Sequence, residues 1–141
     1  MDKLFNTVFE NSLRILILLD VFQKPQNMDM IYVTDFMTVY GETFKITEHN
    51  LNGNNILKFS EFISRRPLVQ KVLKQLILSG LAETTDFLYS ITPMGRRYCQ
   101  AFESHYAELY RTSAIKVISA VGQKNERELI AEINRLSKNM N

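Results

Sequence analysis

Cysteine occurs once in this sequence and tryptophan not at all; histidine occurs twice and proline three times. The lone Cys99 excludes an internal disulfide and fits a reducing compartment. His49, His105 and Cys99 are too scattered for metal-ligand spacing, so no metal is expected. Cys99 and His105 lie six positions apart, which on a helix points them in different directions, and Cys99 reads as a small buried hydrophobe rather than a nucleophile. The turn "LNGNN" at 51–55 lacks the Lys and Ser/Thr of a nucleotide-binding loop. Acids such as Asp29 and Asp35 read as solvated surface. Neither a catalytic set nor a cofactor is expected. The longest apolar run, "ILILL" at 15–19, is far below the ~20 residues of a membrane span. The opening "MDKLFNTVFENS" has no signal-peptide pattern, so a cytoplasmic, membrane-free protein is expected.

What is present is an ordinary globular composition. The 141 residues, 45% hydrophobic and 23% charged, suffice for one core. The net charge of +2 is too small to announce nucleic-acid binding. Its distribution is uneven: residues 1–50 carry 4 basic and 7 acidic side chains against 13 and 8 in residues 51–141, which suits distinct contact faces.

Periodicity sets the element order. Thr7 and Glu10 have capping-box spacing, and a helix is expected from Val8 to about Phe22, with Glu10 and Arg14 on its one wet edge. Its other sides are apolar, so it should lie in the core or under a partner. "QKPQN" breaks the chain. A second helix is expected from about Met28 to Tyr40, ended by Gly41, and then a polar loop at 42–60. In the stretch 68–98, Val69, Val72, Leu73, Leu76 and Ile77 share one helical face, with Pro67 suited to the first turn and Gly80 to the terminus. "LAETT" and "FLYSIT" flank Asp86 as a short hairpin, and Thr92–Pro93 restarts a helix. A long helix is expected over 93–121, packed against helix 8–22. Asn125 and Glu128 cap a final helix from about Glu126 to Lys138.

Helix, hairpin and helix in this order predict an α+β, mostly helical, winged-helix domain with added long C-terminal helices. Residues 1–122 would form the winged-helix-like core and 123–141 a C-terminal amphipathic helix. In a helix-turn-helix, cations at the front of the third helix face the major groove or position the protein on phosphates. The candidate DNA or partner contacts are Arg65, Arg66, Gln70, Lys71 and Lys74, with Arg96 and Arg97 after the wing; the bland alternative is a solvated helix face. The gap from Gly41 to Ser64 is several times the ~3–4 residues of a helix-turn-helix connection, which speaks against sequence-specific reading of DNA. Non-specific phosphate contact stays open. On the last helix, Leu129, Ile130, Ile133 and Leu136 form a narrow apolar stripe that either folds onto its own domain or docks on a partner.

Four stretches carry a resemblance that spans nearly the whole chain: "LFNTVFENSLRILILLD" at 4–20, "MIYVTDFMTVYGE" at 30–42, "SRRPLVQKVLKQLILSGLAE" at 64–83 and "FLYSITPMGRRY" at 87–98. Together with Tyr106 and Tyr110 they resemble the small middle components of ABC-three component systems, including the middle subunit of Lamassu-type antiphage defence. Thr34–Asp35–Phe36 stands where that family has an aspartate-centred Leu-Asp-Tyr. The resemblance implies a non-catalytic accessory subunit that works with an SMC/Rad50-like ABC ATPase and an effector, often a nuclease. The rival reading is a winged-helix transcriptional regulator.

Overall fold

The computed structural model describes residues 8–51, 53 and 58–139. Six helices and three short strands follow in the order α1 (Val8–Phe22), β1 (Gln26–Asn27), α2 (Met28–Val39), α3 (Lys58–Leu78), β2 (Ala82–Thr85), β3 (Leu88–Ile91), α4 (Pro93–Ala101), α5 (His105–Val121) and α6 (Glu126–Asn139) among the described residues. The expected Thr7 cap of α1 lies outside them.

The α2 helix is the hub. Every residue from Ile31 to Val39 is buried, and α1, α3, α5 and α6 all touch it. A helix without a wet face gives no amphipathic period, because each of its sides meets another element. Asn27 starts it, its side chain accepting from the Met30 N–H at 2.8 Å. The α1 helix is the second interior helix, with Leu13 and the run Ile15–Leu19 buried against the chain's own elements.

The strands form an antiparallel sheet in the order β1-β3-β2. The β2–β3 hairpin lies where it was expected, with Ala82 opposite Ile91 and Thr85 opposite Leu88. Asp86 and Phe87 at its tip both take positive φ, 53° and 64°, the backbone a two-residue turn needs to match strand twist. The β1 strand was not foreseen. Two residues are too few for a period-2 signal, and it exists only because Gln26 and Asn27 add to the free edge of β3 opposite Tyr89 and Leu88.

Two helix boundaries differ from expectation. The α3 helix starts at Lys58, nine residues before Pro67, which sits inside it. Pro67 and Ile63 are both exposed, so the Ile63 carbonyl that loses its helical donor lies on the side where water can replace it. The helix expected over 93–121 is two helices. It breaks at Phe102, which takes extended backbone, and Ser104 caps α5 by accepting from the Ala107 N–H at 3.0 Å. The break lets both pieces lie on α1, where Phe102 meets Phe9 with ring centroids 5.3 Å apart. Gly95 allows α4 to close on the hairpin: a Cβ there would overlap the Leu81 carbonyl and the Ile91 side chain.

The described part of the expected polar loop is tied down. The Asn50 side chain accepts from the Glu42 N–H at 2.9 Å, and the Leu51 N–H returns to the Val39 carbonyl at 2.8 Å. The α6 helix carries the expected reciprocal cap between Asn125 and Glu128. It packs on α2, and Asn27 donates to Glu126 at 3.2 Å.

Candidate functional site

Two features stand apart from the ordinary core: a buried ionic centre and an exposed face that mixes apolar and cationic groups. The centre is built on Asp35, which has no solvent exposure. Its Oδ1 accepts from Arg14 Nε at 3.3 Å and from the Tyr110 hydroxyl at 2.6 Å. Its Oδ2 accepts from Arg14 Nη2 at 3.2 Å and from Arg65 Nε and Nη2 at 3.2 and 2.8 Å. Arg65 Nη1 also donates to Glu61 Oε1 at 2.6 Å, and the Tyr40 hydroxyl to Glu61 Oε2 at 2.6 Å. Two guanidinium cations therefore face two carboxylates, a balance that a low-dielectric interior requires. The residues come from α1, α2, α3 and α5, so the cluster fixes how four helices sit. Beside it, Ser113 Oγ donates to the Thr38 carbonyl at 2.8 Å.

These positions correct the sequence reading in three places. Asp35, read as solvated surface, is the most enclosed carboxylate among the described residues. Arg14, placed on the wet edge of α1, is 1% exposed. Arg65, a candidate DNA or partner contact, has both its charge and its donors committed inside the fold. A usable signal did exist. An acid and a base set in the apolar runs "YVTDFMTVY" and "SLRILILL" have no wet face to occupy, and a buried charge must be paired.

Burial dominates the titration of the neighbouring groups. It raises the Tyr110 phenol well above its usual value, and Asp35 raises it further. Burial likewise pushes Tyr106 up to about 12 and Cys99 up to about 11. For Arg14, burial is the largest influence and acts against the charge, but Asp35, Tyr106 and Tyr110 together more than offset it and the net direction is upward. The stability held by the neutral phenols is full below pH 10, where folded and unfolded chains both keep the proton. Above it the unfolded chain ionises while the folded one does not, so stability is lost as pH rises toward 12. The urea midpoint should fall steadily from about pH 10 to about pH 11.5, and less steeply in Tyr110→Phe. A midpoint that stays level across that interval would contradict this account of the centre.

The remaining candidates divide by surroundings. Arg66 pairs with Asp29 at 2.8 Å and Arg96 with Asp20 at 3.3 Å, both at the surface. Gln70, Lys71, Lys74 and Arg97 are exposed, and the three cations have no carboxylate partner among the described residues. Leu129 and Ile133 are each 1% exposed within the chain's own core, while Ile130 and Leu136 are half-buried. As partner anchors, Leu129 and Ile133 are thereby corrected: their apolar surface is already used. Sequence reasoning missed a groove of about 610 Å³ between α1, the end of α3 and α4, lined by Phe9, Leu13, Leu16, Leu76, Leu78 and Tyr98 among others. Cys99 is buried and His105 exposed. No helix among the described residues is long and apolar enough to cross a membrane.

The fold and its centre define a small, mostly helical α+β domain locked by a sealed ion cluster. Residues 4–141 match the family model of the ABC-three component (ABC-3C) system Middle Component 2, and the chain belongs to that family. It is thus one component of a multi-component ABC system. No curated protein and no solved structure matches it.

Proposed function

We propose that this protein is a non-catalytic adaptor of a Lamassu-type antiphage defence complex in the cytoplasm. It holds an SMC/Rad50-like ABC ATPase and an effector, often a nuclease, in one assembly until activation. The observation that carries this reading is the family match over residues 4–141. Two further observations support it. The carboxylate that accepts the most side-chain hydrogen bonds among the described residues, Asp35, is fully buried. We read the order α1-β1-α2-α3-β2-β3 with sheet order β1-β3-β2 as a winged-helix arrangement, and such a scaffold serves protein contact as readily as DNA.

A transcriptional regulator is the second reading, favoured by Gln70, Lys71 and Lys74 on the outer face of α3. Against it, three of the six cations expected on that surface, Arg65, Arg66 and Arg96, are committed to carboxylates within the chain, and only Lys71, Lys74 and Arg97 would be left to meet phosphates. Any DNA contact made by these is non-specific and weakens steeply with salt.

Expressed with its neighbouring genes, the protein should co-purify with an ATPase and an effector. Purified alone, it should hydrolyse neither nucleotides nor nucleic acid. Recovery without either subunit, together with a salt-resistant preference for one short duplex, would overturn the adaptor in favour of the regulator.

A further inference from the structure

The groove between α1, the C-terminal end of α3 and α4 is the most unusual surface that the described residues leave uncovered. Its floor is Leu13, Leu16 and Leu76, buried or nearly so, and at its rim stand Phe9, Leu78 and Tyr98. Leu78 is 78% exposed, and Met94, on the same face of α4 as Tyr98, is also exposed. Single exposed apolar residues are unremarkable on a soluble protein. Several of them around one concave apolar floor mark a contact site.

Charge indicates what fits there. From Pro67 to Leu78 and throughout α4 the chain carries Lys71, Lys74, Arg96 and Arg97 and no acid. Arg96 is taken by Asp20, which leaves three cations without carboxylate partners among the described residues. Lys71 and Lys74 stand one turn before Gln75 and Leu78, both of which line the groove; Lys74 itself faces the adjoining hollow with Gln70, Ile77 and Tyr89, so the two cations border the groove on its α3 side. Acids do occur nearby, Glu10 on α1 beside Phe9, Glu83 on β2 and Glu103 after α4, but none of them lines the groove. The walls are mainly helices, and neither edge strand of the sheet, β1 or β2, contributes to them, so the groove offers side chains rather than strand backbone.

We infer that this groove receives an acidic amphipathic helix of another component of the complex, its apolar stripe on Leu13, Leu16 and Leu76 and its carboxylates beside Lys71 and Lys74. The inference rests on the adaptor reading and adds the surface and the chemistry of its partner. A helix laid in an apolar groove is anchored at spacings of three and four and gains specificity from its flanking charges. Nucleic acid fits less well, because its phosphates would meet the lysines while its apolar demand on Leu78 and Met94 is small.

The test uses the complex purified from the native operon. A photo-cross-linking amino acid at position 78 should join the chain to one other component, at a segment with Asp or Glu beside Leu, Ile or Phe at helical spacing. The same group at position 115, on exposed α5, should not. Leu78→Glu should keep the melting temperature of the isolated protein and weaken the complex about thirtyfold or more, the scale of a charge set into an apolar contact. Lys71→Glu with Lys74→Glu should weaken it by a smaller factor that shrinks as salt is raised. A wild-type complex that survives Leu78→Glu unchanged overturns the groove assignment while leaving the adaptor intact; absence of any wild-type complex fails the adaptor itself. A cross-link from position 78 to residues 1–7 of the same chain, or loss of binding to a short DNA duplex with the complex unaffected, also overturns the assignment.

Discussion

Asp35→Ala should destabilise the isolated protein by about 3–5 kcal/mol, the scale found when one partner of a buried ion pair is removed. The reason lies in what remains. Arg14 and Arg65 would stay enclosed without the carboxylate they share, and the Tyr110 hydroxyl would lose its acceptor. Neither arginine can shed its proton, so the fold must admit water or unfold. Asp35→Asn should cost less, because the amide keeps the shape and one acceptor oxygen. A variant with Arg14→Met, Asp35→Leu and Arg65→Met should recover much of the loss, since apolar groups of similar volume remove both the charges and their desolvation. Urea unfolding of the three variants measures this. An Asp35→Ala protein within about 1 kcal/mol of wild type would mean that the cluster is open to water and not the sealed centre described above.

Ile133→Asp should be the other large effect, about 3–5 kcal/mol, combining a lost buried side chain with a carboxylate forced into the core. Ile133 is 1% exposed and lies on the face of α6 that packs against α2. The melting temperature of the purified protein should therefore fall before any partner is added. Leu136→Asp, at a half-buried position, should cost clearly less. An Ile133→Asp protein that melts like wild type and fails only in assembling the complex would restore the idea that α6 docks elsewhere.

How far the sequence could be read depended on where each element lies. The α3 face, the hairpin, the Thr92 and Asn125 caps and the left-handed Gly80 were legible because local chemistry settles them. The break at Phe102 was not. An apolar stripe running through Tyr98, Phe102 and Tyr106 reads as one continuous helix, and only the need of both halves to lie on α1 favours the capped break at Ser104. The Pro67 boundary failed for the opposite reason, since a proline on the wet side of a helix costs less than its local preference suggests. The ionic centre was hidden by sequence distance: Asp35 finds Arg14, Arg65 and Tyr110 at separations of 21, 30 and 75 residues. Its residues were nevertheless part of the stretches that resemble the family. The seven surface candidates were chosen by polar character and by place on the third helix and after the wing, and neither distinguishes Arg65 inside the fold from Lys71 outside it.

Those separations also bear on how the chain matures as it is made. Synthesis runs from the N-terminus, so Arg14 and Asp35 leave the ribosome long before Tyr110 exists. Closing the 75-residue span costs only about 1 kcal/mol more than closing the 21-residue one, so entropy alone hardly delays the last contact. The order of synthesis does. Until α5 has emerged, the hub helix lacks its α5 cover, and the Arg14–Asp35 pair keeps water where the Tyr110 ring will later seal it. The nascent chain therefore passes through a stage in which its most apolar surface is held together by its most hydrated groups, and completion of α5 closes both at once.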